Sequence, residues 1–208
     1  MSYFVKIPWW VQKARSQHIW KIDTFEKELF LTFDDGPHPE ATPMILDILK
    51  EFKAKATFFC LGNNVKSHPD IVQRIRQDGH GLGSHSFHHE NGWKTKNETY
   101  LESFQKAHDL IQGNLFRPPY GKIKAKQTKA IHAIGIKTIM WSVMPGDWEA
   151  SRTPASIFQR TIKNAEPGAI IVFHDSQKAQ QNLKEALPLI LKELTQKGYI
   201  FKSLCDVL

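Results

Sequence analysis

From residue 29 onward, short apolar runs alternate with amphipathic stretches, and no other feature limits the possible folds as tightly. The runs LFLTFDDG (29–36), KATFFCLG (55–62), GLGSHS (81–86), LFRPPYG (115–121), KTIMWSV (137–143), AIIVFHDS (169–176) and YIFKSL (199–204) read as strands. Between them, 42–54, 68–81, 99–113, 123–134, 153–165 and 181–198 read as helices. In the first, Thr42 is the expected N-cap, with Pro43 in the first turn. Strands separated by single helices pair in parallel, and their near-continuous apolar character implies burial on both faces. About seven such units close a ring more readily than they fill an open sheet. The expectation is an irregular (β/α) barrel of about seven parallel strands, TIM-barrel-like, forming one domain over residues 1–208. Residues 1–28, rich in Trp and basic side chains, are expected to pack over the bottom or edge of that barrel. Trp9, Trp10 and Trp20 offer a sugar-stacking platform as the alternative role.

The chain is long enough for a full core at 208 residues, and 41% hydrophobic with 24% charged residues is a globular balance. No apolar run approaches the roughly 18–20 residues that span a bilayer. The start lacks the apolar core and cleavage site of a secretory leader, so the expected compartment is the cytoplasm unless a leader was removed. A net charge of +7 favours anionic polymers or surfaces. Yet no nucleic-acid signature is present, and the lysines of 123–137 fit a solvated helix face. Cys60 and Cys205 lie far apart in apolar segments and read as two buried thiols. The expected state is a monomer.

Chemistry-bearing residues recur at one topological position. Asp34 and Asp35 end the first strand, His85 and His89 the third; Arg117 follows the fourth, Asp147 the fifth, and His174 ends the sixth. In βα barrels the active site lies at the C-terminal ends of the strands. Neighbouring strand residues point to opposite sides. Asp34 and Asp35 would therefore divide into one ligand and one base, although Asp-Asp-Gly-Pro is also an ordinary turn sequence. Two imidazoles four residues apart, with one carboxylate, make a three-ligand set for a borderline divalent metal. His88, His80 and His38 leave that assignment open, whereas His108 and His132 sit in amphipathic stretches as surface or packing residues.

The motifs Thr32-Phe33-Asp34-Asp35-Gly36-Pro37, His85-Ser86-x-x-His89, Arg117-Pro118-Pro119-Tyr120, Asp147-Trp148 and Val172-Phe173-His174-Asp175 occur in that order. Together they resemble the polysaccharide deacetylases, the chitooligosaccharide deacetylase-like carbohydrate esterases of family four. The resemblance implies metal ligation by Asp35, His85 and His89, with zinc first and cobalt or nickel as alternatives. It implies Asp34 as general base, steadied by Arg117, and the Tyr120 backbone N–H as oxyanion donor. His174 would be the acid, oriented by Asp147, and Trp148, Val172 and Phe173, with Tyr120, would line the substrate pocket.

One position departs from the family pattern: Met144 stands where the fourth motif usually carries an acid paired with the arginine. The anchoring of Arg117 is therefore in question, with Ser142 or another group as its replacement. The expected activity is metal-dependent removal of N-acetyl groups from an N-acetylglucosamine-containing glycan, chitooligosaccharide or peptidoglycan. The alternatives are hydrolysis of a non-sugar amide or imide, and glycan binding with little turnover.

Overall fold

The structure is a computed structural model that describes residues 4–208. Seven strands lie in it: β1 (Glu28–Asp34), β2 (Ala56–Cys60), β3 (Gly81–Ser84), β4 (Leu115–Phe116), β5 (Lys137–Thr138), β6 (Ile170–His174) and β7 (Ile200–Phe201). They are joined through α2 (Ala41–Glu51), α3 (Gly62–Ser67), α4 (Pro69–Gln77), α5 (Asn97–Ile111), α6 (Ala125–Ala133), α7 (Pro154–Asn164) and α8 (Gln177–Gln196). A short α1 (Trp9–Ala14) precedes them. The order β5-β4-β3-β2-β1-β6 is parallel throughout, and β7 pairs in parallel with the start of β1.

The sheet curls into a distorted (β/α) barrel. Its seam is closed by single bridges rather than by a ladder: Val143, just past β5, bridges Ile171 of β6. Ile19 bridges Ile139 and Lys21 bridges Ala169, so the segment before β1 fills the gap between β5 and β6. Upstream, Lys6 bridges Val143.

The core has three clusters, and strand alternation divides the apolar residues of β1 between two of them. Leu29, Leu31, Phe33, Phe58 and Phe173 face the helices and pack with Leu183, Leu187, Ile190 and Leu191 of α8. Phe30, Phe59, Leu115, Ile139 and Ile170 form a separate cluster closed by Leu204. At about 25 cal/mol per Å² of buried apolar surface, each of these side chains contributes roughly 1.5–3 kcal/mol.

The structure adds and corrects several details. Helix α3 occupies GNNVKS, which reads as a loop, and α8 begins at Gln177 rather than at 181. Thr42 lies inside α2 and does not cap it; its buried hydroxyl accepts from the His38 N–H (2.8 Å) and donates to Asp175 (2.6 Å). Cys60 is buried as expected, but Cys205 is exposed, because the final turn (Leu204–Asp206) lies at the surface. No helix among the described residues is long and apolar enough to cross a membrane.

Candidate active site and metal centre

β1 delivers the two aspartates differently. Asp34 ends the strand with its side chain buried, and Asp35 leaves it at φ 81°, a left-handed conformation that swings its carboxylate away. Asp175 holds this turn: its carboxylate accepts from the Gly36 N–H (2.9 Å) and from Thr42 Oγ1, while its own N–H donates to the Asp34 carbonyl (3.0 Å). Burial pushes the Asp175 carboxyl up to about 8, against the hydrogen bond from Thr42. A Cβ at Gly36 would meet that carboxylate at 1.8 Å, so only glycine fits there.

His85 follows β3 and is almost fully buried. Its Nδ1 lies 2.7 Å from the Arg117 carbonyl, which fixes Nδ1 as the protonated nitrogen and leaves Nε2 free to ligate. Burial drives its pKa down to about 4, against the opposing pull of Asp34, so the ring is neutral at physiological pH. His89 reaches the same point through a tight turn in which Ser86 (φ 66°) and His89 (φ 65°) are both left-handed. The Ser86 hydroxyl accepts the N–H groups of His89 and Glu90 and holds that turn.

The ligating atoms of Asp35, His85 and His89 all lie within 4.8 Å of one another. Asp35 Oδ1 is 3.2 Å from His89 Nε2 and 3.7 Å from His85 Nε2. It is buried and accepts no well-aligned hydrogen bond. Two ligands at about 2.0–2.2 Å from one cation stand roughly 3–3.5 Å apart, so the set fits a divalent metal ion. Burial raises the Asp35 carboxyl, but the surrounding imidazoles, His89 first, outweigh it and hold it below the usual carboxylate range. It is thus ionised and ready to ligate.

Arg117 is fully buried beside this cluster. Its Nη1 donates to Asp34 Oδ1 and to Thr32 Oγ1, both at 2.7 Å, and its Nη2 donates to the Met140 carbonyl (2.9 Å). Nε donates to the Ile139 carbonyl (3.4 Å), and the guanidinium lies 4.2 Å from the Phe59 ring centroid. The anchor is therefore Thr32 with two carbonyls, not an acid. Ser142 is not part of it: its hydroxyl bonds to the Ile170 carbonyl.

On the adjoining strand, His174 is the register partner of Asp34. Asp147, fully buried, accepts from His174 Nδ1 (3.1 Å) and from the His174 N–H (2.7 Å). Burial alone would lower the His174 pKa. The Asp147 carboxylate, with Asp35 and Asp34 behind it, overrides burial and raises the pKa to about 9. Trp148 packs edge-on against His174 at 4.6 Å. Tyr120 sits in the turn Pro119–Gly121 at φ 61°, exposed, with its ring edge-on to His89 at 4.5 Å.

Nine of the eleven sequence-selected residues thus surround one cluster or directly support it. Of the remaining two, Val172 lies two residues before His174 on the same side of β6. Phe173 does not belong to the pocket: it points to the helical layer, fully buried and stacked on Phe33 at 5.9 Å.

The polysaccharide deacetylase family model matches residues 21–139, more than half of the chain. The chain belongs to the polysaccharide deacetylase family. Among curated relatives of this deacetylase, a peptidoglycan-N-acetylglucosamine deacetylase of Bacillus cereus is 35% identical over 202 residues, covering 91% of this chain and 92% of that one. A chitooligosaccharide deacetylase of Azorhizobium caulinodans is 38% identical over 162 residues, covering 74% and 77%. The solved structure of the peptidoglycan N-acetylglucosamine deacetylase Bc1960, in complex with 4-naphthalen-1-yl-N-oxidanyl-benzamide, superposes with a TM-score of 0.89. It is 33% identical and covers 97% of each chain. Thr32 and Asp175 stand inside the quoted motifs, but motif reading gave neither of them a role in the site. Thr32 stands two residues before Asp34 on the same strand face, and that period-2 spacing was the available signal.

Proposed function

We propose that this deacetylase removes the acetyl group from N-acetylglucosamine units of peptidoglycan, with zinc as its metal. The observation that carries the reading is the pairing of Asp34 with His174. They are register partners on adjacent parallel strands, with the metal-ligand cluster beside them, and their supports differ: Arg117 for one, Asp147 for the other. A carboxyl group fixed by Arg117 and an imidazole backed by Asp147, set at one centre, suit the base and acid roles of amide hydrolysis.

In this mechanism Asp34 takes the proton from the attacking water while Arg117 fixes its orientation. A divalent cation held by Asp35, His85 and His89 would acidify that water and polarise the acetamide carbonyl. The Tyr120 N–H, presented by a left-handed residue after two prolines, donates to the developing oxyanion. His174, charged through its contact with Asp147, delivers a proton to the leaving amine. Trp148 and Val172 border the acetyl group. The two-nitrogen, one-oxygen donor set favours zinc, with cobalt and nickel as functional substitutes.

Peptidoglycan is placed first because the Bacillus cereus relative aligns over almost its whole length, and a +7 chain suits an anionic wall polymer. Chitooligosaccharide is the second reading, supported by the Azorhizobium relative.

The test is acetate release by zinc-loaded protein from acetylated peptidoglycan and from chitooligosaccharide. Chelation should abolish release, and Asp34→Asn should retain glycan binding while kcat falls by about 10²–10⁴-fold. Zinc-loaded protein that frees no acetate from either glycan would sink the proposal.

A further inference from the structure

The segments that carry His89 and Tyr120 continue into a second group of side chains that the deacetylation chemistry does not use. The loop after His89 carries Trp93, and the turn holding Tyr120 continues into Lys122. These two segments are locked together. The Gly92 N–H donates to the Lys122 carbonyl (3.1 Å), Trp93 Nε1 donates to the Ile123 carbonyl (3.1 Å), and Gln127 Nε2 donates to the Gly92 carbonyl (3.0 Å). No larger residue fits at position 92, where a Cβ would approach the Lys122 carbonyl to 2.4 Å. The Trp93 ring is therefore fixed, yet it is 49% exposed.

Two cations converge on that ring. The Lys122 ammonium lies 5.4 Å from its centroid, and the Arg15 guanidinium, brought in just after α1, lies 5.3 Å from it. Both side chains are partly buried. Neither forms an ion pair with a carboxylate among the described residues. Tyr120, two residues from Lys122, is 59% exposed and contacts the ligand His89, so the ledge adjoins the reaction centre.

We infer that Trp93, Arg15 and Lys122 form a subsite for a carboxylate-bearing sugar unit next to the unit being deacetylated. The indole holds both cations in place and offers its remaining surface to the sugar ring, while the cations receive the carboxylate. Neutral chitin has no group for them. Glycan strands with lactyl ethers, free or extended by peptide, do. The inference rests on the peptidoglycan reading and narrows it, because it assigns the preference between the two glycans to this ledge.

The experiment compares wild type with the Arg15→Gln/Lys122→Gln double variant, both zinc-loaded. Three substrates are used: neutral chitooligosaccharide, peptide-stripped glycan with free lactyl carboxylates, and peptide-bearing glycan. Loss of charge-assisted contacts should lower kcat/KM on a carboxylate-bearing substrate about tenfold, through KM. Chitooligosaccharide should change by less than about twofold, and added salt should erode the wild-type preference. Which of the two carboxylate arms responds identifies lactyl or peptide as the source. Equal losses on all three substrates, or none on either anionic one, would overturn the subsite. Wild type that releases no acetate from any substrate refutes the proposed activity instead. In that event, titration of stripped glycan into zinc-loaded protein decides the subsite: affinity equal in wild type and double variant overturns it, and weaker binding by the variant upholds it.

Discussion

Replacing Thr32 by Val keeps the β-branched shape and removes one oxygen, which isolates what anchors Arg117 in place of an acid. Thr32 Oγ1 accepts from Arg117 Nη1 at 2.7 Å and donates to the Ile171 carbonyl at 3.0 Å, and neither bond is open to water. A hydrogen bond to a charged group is worth about 1.5–3 kcal/mol, and the neutral one about 1 kcal/mol. The added methyl recovers part of this by burial, roughly 1 kcal/mol. The net loss should be about 1.5–3 kcal/mol, a fall in Tm of roughly 3–12 °C at the 2–4 °C per kcal/mol expected for a chain this size. Urea and thermal denaturation of the metal-free protein measure it without interference from metal linkage. In the zinc-loaded enzyme, kcat should fall with little change in KM, because Asp34 loses the fixed orientation of its partner while the glycan contacts stay. Thr32→Ser should restore most of both. A Thr32→Val protein within about 0.5 kcal/mol of wild type would refute the assignment of Thr32 as the replacement anchor.

Two further outcomes follow from buried histidines. Asp147→Asn removes the charge that most strongly raises His174, so the His174 titration followed by NMR in the metal-free protein should move from about 9 to well below it. In the wild type, the stability contributed by this raised pKa is fully present below about 6.5 and is lost as pH rises through about 9. An unmoved titration would show that Asp147 is not the source. His80 and His18 behave oppositely: burial first, then Lys55 for His80 and His132 for His18, lowers each to about 4. The stability they contribute is present above about 6.5 and is lost as pH falls toward about 4. His80 Nδ1 accepts the Ala56 N–H, a bond that protonation there would break. His80→Gln should therefore flatten the decline in urea midpoint between pH 7 and pH 4.5, and an unchanged slope would exclude His80.

The barrel was legible because its period switches from strand to helix six times over, and the catalytic positions because they recur at strand ends. What stayed hidden depended on tertiary context. GNNVKS has too little apolar periodicity to declare itself a helix, and α8 begins in the polar run QKAQQ, where only the small Ala179 faces the core. Thr42 looks like a cap by residue type, but Asp175 from a distant strand end recruits its hydroxyl. Phe173 was separable from Val172 by strand alternation, since His174 fixes which face is catalytic. The carbonyls of Ile139 and Met140 that hold Arg117 leave no trace in side-chain identity.

Arg117 is gripped by backbone as much as by side chains, and its own carbonyl in turn sets the tautomer of His85. A position that merely reinforces such a residue can drift: Met144 is tolerable because the grip is redundant. An incomplete motif of this type is thus poor evidence that an enzyme has died. The informative losses would be those at Asp34 or His85, whose own side chains face the reaction centre.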